Sequence, residues 1–340
     1  MQGQFPALTY LALDCFLIRK SSTPALPVWF LGGHAPRLQT LELNCISFPS
    51  LPKLLLSATG LVSLTLRSMP HSGYISPETM VTCLFSLTNL ESLTIHFQSP
   101  SSCPDLKTRR PPPSIRHVLP ALKLFRFIGV SEYLEDVVSQ IDTPLLDTFN
   151  VVFFNQVVFD IPHFSHFILR ANNLKPYRRA SVFFDNHAIF IDVHRTAFFE
   201  GLKLVVMCEP SDWQFSALDQ MCNGQASPLM PIIPSIECLD ISVGRGDSNG
   251  HVDVDGAQWL EFLRPFIAVE SLNLWTRIVP FIMPVLAKGV QVAPEILPAL
   301  RHLQLEGYSS FPESFLEDIV EPFIAARQVL GNPVVLDVWG

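Results

Sequence analysis

The loop from Gly244 to Gly256 is the stretch whose residue types come closest to a metal site. Aspartate and glycine at this density are typical of calcium loops, in which carboxylates at fixed positions surround the ion. When the stretch is aligned to a calcium loop through Gly256, Asp253 and Asp255 occupy ligand positions. However, His251 stands first, and Phe262 stands where the bidentate glutamate belongs. Because a hard cation without these two carboxylates is bound poorly, the sequence predicts a solvated loop here and no metal site.

Other candidate chemistry is weaker still. His163 and His166 could form a zinc pair, but the chain has no Cys-x-x-Cys to complete it, and we interpret them as polar residues alternating on a strand. Ser50 to Lys53 matches the nucleophile motif S-x-x-K without any supporting second motif. The sequence therefore predicts no catalytic residue, no metal ligand and no cofactor, and we expect a protein that is not an enzyme.

A basic, proline-rich run extends from Lys107 to Pro113 and could be a polyproline ligand or a docking patch. A stiff loop is the simpler interpretation. Its three charges are too few to hold nucleic acid at physiological salt, and the formal net charge of the whole chain is −8. We therefore expect no nucleic-acid partner.

The elements that would position any site come from an internal repeat, L-x-x-L-x-L. Spacings between the first positions are 30, 23, 29, 32 and 24 in the first half, then 33 and 31. A proline often precedes the copy, as expected just before a strand begins. The copies begin at Leu8, Leu38, Leu61, Leu90, Leu122, Leu146, Ile236, Val269 and Leu300.

This repeat predicts an α/β fold, a leucine-rich-repeat solenoid with a curved parallel sheet on the concave side and short helices on the convex side. In L-x-L the two apolar side chains share one face of a strand, and the other side chains occupy the opposite face. Helices are predicted between strands, most clearly after Ser76, a candidate N-cap followed by Pro77. Further helices are predicted over 134–141, 256–266 and 312–327.

We expect one domain over residues 1–340, with regular repeats at 1–152 and again at 236–340, where the array ends in a cap. The middle, 153–235, is predicted to be irregular and strand-rich, with little helix. Within it, Val182 to Phe184 and Ala188 to Val193 predict two strands joined by a turn, and Gly201 to Met207 predicts another.

The location of the protein is predicted from its apolar segments and cysteines. The most apolar stretch, Ile278 to Ala287, is short and contains two prolines, so we expect no membrane span. The first twenty residues have the wrong charge order for a secretory signal. Seven cysteines spread over the chain favour reduced thiols. We expect an intracellular protein, cytoplasmic or nuclear.

The outward positions of the predicted strands are the candidate binding residues. Most are small and polar, and Trp275 stands out because tryptophan and arginine dominate interface energies. The alternative for Trp275 is a side chain covered by a neighbouring loop. The mixture of charges favours a protein surface as the ligand. The candidates for protein binding are Glu42, Arg67, His96, Arg126, Asp240, Trp275 and Glu306.

Several stretches, taken in order along the chain, resemble the repeat region of the fungal F-box/leucine-rich-repeat family. They are FLGGHAPRLQTLEL (30–43), LPKLLLSATGLVSLTL (51–66), PHSGYISPETMVTCLFSLTNL (70–90), RRPPPSIRHVLPAL (109–122), GVSEYLEDVVSQIDTPLL (129–146) and FIAARQV (323–329). In such proteins the repeats select substrates, and an F-box docks them on a cullin-type ubiquitin ligase. The first repeat here begins at Leu8, so the F-box itself is expected to be absent from this chain.

The resemblance implies a substrate-recognition arm of an F-box-type ubiquitin-ligase adaptor. Its partners would be a target protein and, through an F-box in a longer product, a cullin-type ligase. The alternative is a leucine-rich-repeat scaffold unconnected with ubiquitin ligation.

Overall fold

The computed structural model describes residues 5, 7–15, 24–102, 116–156, 159, 161–174, 177–194, 201–208, 211–223, 227–244, 256–275, 277–292, 296–306 and 316–339. The chain divides into two compact units, Met1–Phe154 with Asp160–Lys175 and Asn155–Phe159 with Pro176–Gly340. We call them unit 1 and unit 2 and describe each by itself. A single array over residues 1–340 stays a prediction.

Unit 1 contains a parallel sheet of repeat strands. In order across it lie β1 (Tyr10–Asp14), β2 (Thr40–Asn44), β3 (Ser63–Met69), β4 (Ser92–Phe97), β6 (Leu124–Gly129) and β8 (Thr148–Phe153). Two short strands, β5 (His117–Val118) and β7 (Ile141–Asp142), form a separate parallel pair. The predicted strands and their parallel direction are confirmed in this unit.

The predicted apolar triplets of unit 1 lie in register, strand beside strand. Leu11 pairs with Leu41, and the same row continues through Leu64, Leu93, Phe125 and Phe149. A second row, two residues further along each strand, contains Leu13, Leu43, Leu66, Ile95, Phe127 and Val151. From β2 onward all these side chains are buried. One face of the sheet is therefore a continuous apolar core, as the period of two requires.

Aromatic side chains fill the core of unit 1 where the later strands replace leucine with phenylalanine. The rings of Phe125 and Phe149 stack at 5.2 Å between centroids, and Phe127 stacks on Tyr133 at 5.9 Å. The Tyr133 hydroxyl donates to the Ile75 carbonyl oxygen at 3.1 Å, so this buried polar atom has a partner. Ring stacking of this kind adds to the free energy gained by burying apolar area.

Helices of unit 1 follow the strands: α1 (Leu51–Ser57), α2 (Pro77–Phe85), α3 (Ser131–Val138) and α4 (Pro162–Arg170). The prediction for α2 is confirmed in detail. The Ser76 hydroxyl accepts from the backbone N–H of Thr79, and Pro77 occupies the first turn, where its missing N–H costs nothing. The helix predicted over 134–141 is observed three residues earlier, as α3, and Ile141 lies in strand β7.

Unit 2 contains a mixed sheet. In chain order its strands are β9 (Arg179–Phe184), β10 (Ala188–His194), β11 (Gly201–Met207), β12 (Cys238–Val243), β13 (Ser271–Trp275), β14 (His302–Glu306) and β15 (Val335–Trp339). β9, β10 and β11 are antiparallel neighbours, and β12 to β15 continue from β9 in parallel. The predicted hairpin and the strand at Gly201 to Met207 are confirmed. The chain is thus α/β with mostly parallel sheet, and the solenoid shape stays a prediction.

The apolar rows of unit 2 are built in the same way. Leu239, Leu272 and Leu303 pair in one row, and Ile241, Leu274 and Leu305 pair in the next, all fully buried. Its helices are α5 (Ser211–Cys222), α6 (Gly256–Leu263), α7 (Val279–Val292) and α8 (Glu321–Val329), and a π-helical turn at Leu316–Val320 precedes α8. None of the described helices combines the length and apolar character needed to cross a bilayer.

Two expectations for the middle of the chain are wrong. His163 and His166 lie on helix α4, not on a strand, because Pro162 starts the helix and Phe164, Phe167 and Ile168 pack into the core at helical spacing. The stretch 153–235 also contains the twelve-residue helix α5, so it is not poor in helix. Short apolar runs allow strand or helix, and packing decides between them.

Cysteines at the six described positions, Cys15, Cys45, Cys83, Cys208, Cys222 and Cys238, carry free thiols, as expected. Burial raises the pKa of Cys83 and of Cys208 to about 11, so both stay protonated at neutral pH. These two thiols therefore pack in the core as small apolar groups. The predicted solvated loop at 245–255 and the proline-rich run at 107–113 lie outside the described residues.

Candidate protein-binding faces

The outer face of each sheet is the face opposite the buried apolar rows. In unit 1 its middle row contains Glu42, Thr65, Thr94, Arg126 and Asn150, which pair in that order on neighbouring strands. Glu42 and Arg126 are three strands apart, about 14 Å at the usual strand spacing. The row is therefore a polar surface with one acidic and one basic position, and these two side chains do not form an ion pair with each other.

Arg67 and His96 lie at the carboxyl-terminal end of this face. β3 carries an extra residue before Met69, which pairs with Phe97, and Ser68 takes a positive φ of 48°. This bulge returns Met69 to the core and changes the direction of β3 next to Arg67. Burial, and then the charge of Arg67, lower the pKa of His96 below its ordinary value. The structure therefore brings Arg67 and His96 together.

Because Arg67 lies beside His96, the pKa of His96 should depend on the charge at position 67. Replacing Arg67 with glutamine should raise the His96 pKa, because one cationic neighbour is gone, but should leave it below the ordinary value, because burial is the larger cause. NMR titration of the His96 ring protons measures this. An unchanged pKa would contradict the arrangement.

The same His96 shift has a consequence for stability. A histidine whose pKa is lower in the folded than in the unfolded protein contributes stability that is present above the unfolded pKa, near 6.5. That stability is lost as pH falls through the lower folded pKa. We expect His96→Asn to reduce the loss of thermal stability between about pH 7 and 5.5.

The outer face of unit 2 is organised around Asp240. Its carboxylate accepts hydrogen bonds from the Ser181 hydroxyl, at 3.2 Å, and from the Asn273 amide, and the Arg179 guanidinium lies 3.9 Å away. Asn273 is itself buried although it points to the outer face. Asp240 therefore holds three strands of this face together, and much of its hydrogen-bonding capacity is used inside the protein.

A second group on this face lies on the antiparallel strands. Lys203 pairs with Asp192 at 3.4 Å, and its ammonium lies 5.4 Å from the ring centroid of Phe190, which contacts Phe183. Burial raises the pKa of Asp192, while the Lys203 charge and hydrogen bond oppose that shift. Burial, and then the charge of Arg179, lower the pKa of His194. The carboxylates of Asp192 and Asp240 act in the opposite direction and raise it, but by less.

Trp275, Glu306 and Trp339 lie at the other end of the unit 2 face. Trp275 pairs with Glu306, and Glu306 pairs with Trp339 across the next strand. Trp275 is 51% and Trp339 is 63% exposed, so two large aromatic side chains face solvent here. The seven predicted residues therefore divide into Glu42, Arg67, His96 and Arg126 in unit 1 and Asp240, Trp275 and Glu306 in unit 2.

Sequence reasoning missed Trp339, although a signal for it exists. β15 is a further copy of the repeat in which Pro333 occupies the first position, and Leu336 and Val338 occupy the other two. A search that requires an aliphatic first residue passes over this copy. Phe183, Phe190 and Lys203 were missed for a different reason, because antiparallel strands fall outside the repeat pattern.

A cavity of about 480 Å³ in unit 2 is lined by 298–302, 331–333 and Val335. Arg301, His302 and Asn332 are its polar side chains. Its lining contains no carboxylate, serine or cysteine, so the cavity offers neither a nucleophile nor an acid–base pair of the usual kind. Among the described residues, no group of three or more histidine, cysteine, aspartate or glutamate side chains is placed to hold a metal ion.

Comparison with known proteins supplies no family. No family model matches the chain, and no curated protein matches it. Among solved structures, the chain is similar to the leucine-rich repeat-containing protein LegL7 from Legionella pneumophila, with 12% sequence identity over 97% of this chain and 89% of that chain. The TM-score is 0.28, too low for the likeness to carry any argument.

Proposed function

We propose that this chain is a protein-binding repeat module and not an enzyme, and that it contacts its partners through the outer faces of its sheets. The observation that carries the proposal is the register of the apolar rows. Because the triplets of the inner strands, from β2 to β8 and from β12 to β14, point into the core, the intervening residues form ordered rows on the opposite face. Rows of this kind present side chains at fixed spacing on a rigid support, as a recognition surface requires.

The side chains on these faces favour a protein partner. They are mostly small and polar, with scattered charges of both signs and exposed indoles at Trp275 and Trp339. Tryptophan is enriched among residues that dominate binding energy at protein interfaces. The net charge of −8 and the absence of a basic stripe in the sequence argue against a nucleic-acid partner.

The more specific proposal is a substrate-recognition arm of an F-box-type ubiquitin-ligase adaptor, acting in the cytoplasm or nucleus. Its support is the sequence resemblance of the stretches between Phe30 and Val329. The ligase contact would require an F-box in a longer product, which would join the arm to a cullin-type complex. A leucine-rich-repeat scaffold unconnected with ubiquitin ligation is the alternative.

Proximity labelling in the native cell, with one matched pair of variants, tests both the general protein-binding proposal and the more specific ubiquitin-ligase proposal. Trp275 lies on the outer face and Trp213 on helix α5, and their side chains are similarly exposed, at 51% and 44%. We expect Trp275→Ala to reduce labelling of the specific partners about tenfold, the scale of an interface hot spot. Trp213→Ala should leave that labelling unchanged.

Equal labelling by the wild type and both variants would contradict binding through the outer face of unit 2. Recovery of cullin-complex subunits with the full-length product would support the ligase role. Recovery of partners that depend on Trp275, without any such subunit, would leave the scaffold as the function.

A further inference from the structure

Trp275, Glu306 and Trp339 form a row across three neighbouring strands, β13, β14 and β15. Their paired backbone positions place all three side chains on the outer face of unit 2, with the carboxylate between the two indoles. Both indoles are more than half exposed. We call this row the tryptophan slot.

The width of the tryptophan slot suits a flat cation. Adjacent strands are about 4.8 Å apart, so the two indoles start from backbone positions about 10 Å apart. A planar group stacked between two rings needs about 7 to 8 Å, since each stacking contact takes 3.5 to 4 Å. The two tryptophans therefore have room to close on one planar group, with Glu306 beneath it.

Charge in this region is acidic. Strands β13 to β15 carry Glu306 and Asp337 and contain neither lysine nor arginine. Asp337 lies two residues before Trp339 on the same face and pairs with Gln304. The nearby Arg277 guanidinium donates to the carbonyl oxygen of Gly244, which follows β12, at 3.3 Å. A positive ligand is therefore complementary to the slot.

We propose that the tryptophan slot binds an arginine side chain presented by a basic segment of the partner protein. The inference rests on the protein-binding function proposed above and specifies the chemistry of the partner at this site. The guanidinium stacks between Trp275 and Trp339 and pairs with the Glu306 carboxylate. Arginine fits better than lysine because its guanidinium is planar, weakly hydrated and able to donate two parallel hydrogen bonds to a carboxylate.

The experiment uses the five tryptophans of the chain as reporters. The full chain is titrated with the peptide acetyl-Gly-Arg-Gly-amide, and the indole N–H signals are followed by NMR. We expect saturable shifts of the Trp275 and Trp339 signals, each assigned from its alanine variant. The signals of Trp29, Trp213 and the buried Trp259 should not move, and they also report that each variant remains folded.

Matched ligands and variants isolate the charge and the stacking. The same peptide with citrulline, which has the shape of arginine without its charge, should not produce the shifts, and a lysine peptide should bind more weakly. Trp339→Ala should weaken binding of the arginine peptide about threefold to fivefold, as loss of one exposed cation–π contact does. Glu306→Gln should weaken it about threefold, and 1 M salt should weaken it too.

Any of three results would overturn the proposal: no indole shift with the arginine peptide, equal binding of the citrulline peptide, or full affinity in Trp339→Ala. The labelling experiment keeps the two proposals distinguishable. If Trp275→Ala still loses its cellular partners while the arginine peptide fails to bind, the slot is rejected and protein binding stands. If the peptide binds but labelling is unaffected, arginine binding at the slot stands, but a partner protein as the source of that arginine is rejected together with the protein-binding function of this face.

Discussion

Replacing Phe127 with alanine should lower the free energy of unfolding by about 4 kcal/mol, the usual cost of removing a buried aromatic side chain. Phe127 is 1% exposed, lies against Phe97 and stacks on Tyr133. Its removal leaves a cavity bordered by rings, which cannot collapse without moving the neighbouring strands. Urea unfolding followed by far-UV circular dichroism measures the change.

The residue next to it on the same strand supplies the control. Arg126 points to the outer face, where truncation removes little buried area, and Arg126→Ala should change the free energy of unfolding by no more than about 0.5 kcal/mol. A slip of one residue in the register of β6 would exchange the two results, because successive side chains on a strand point to opposite faces. A large loss in Arg126→Ala and a small one in Phe127→Ala would therefore show that the assigned faces are reversed.

Replacing Glu135 with alanine should lower the free energy of unfolding by about 3 kcal/mol, because this carboxylate, which belongs to helix α3, caps the start of helix α4. The helix begins with Pro162, and the preceding residue, Ile161, has no side chain able to cap it. The backbone N–H groups of His163 and Phe164 would otherwise lack acceptors. Glu135, on helix α3 and 1% exposed, accepts from both, the second at 2.9 Å.

The matched control for Glu135 is a glutamate at the surface. Glu91 pairs with Lys123 at 2.9 Å, and both side chains are about half exposed. Exposed ion pairs of this kind contribute little, so Glu91→Ala should change the free energy of unfolding by less than about 1 kcal/mol. The same urea titration serves both variants. Similar small losses in the two variants would show that Glu135 does not hold the start of α4.

The apolar repeat by itself determined which side chains of the repeat strands face the core. A strand alternates its faces, so each L-x-L identifies two inward positions without knowledge of its neighbours. The rows from Leu41 to Phe149 and from Leu239 to Leu303 confirm those positions. The N-cap at Ser76 was predictable for the same reason, since the hydrogen bond it makes is local.

Tertiary structure decided everything that depends on residues distant in the chain. His163 and His166 belong to a helix whose first N–H groups find their acceptors on another helix, in the carboxylate of Glu135. Asp240 was predicted as a binding residue, but its carboxylate accepts hydrogen bonds from Ser181 and Asn273 on neighbouring strands. No local pattern contains these partners.

Trp275 and Trp339 show the same division most clearly. The sequence predicted that Trp275 points outward, because it follows Leu272 and Leu274 at alternate positions. That a second indole stands two strands away with Glu306 between them depends on the pairing of β13, β14 and β15. The direction of a side chain is a local property of the backbone. The neighbours of that side chain are set by how the strands assemble.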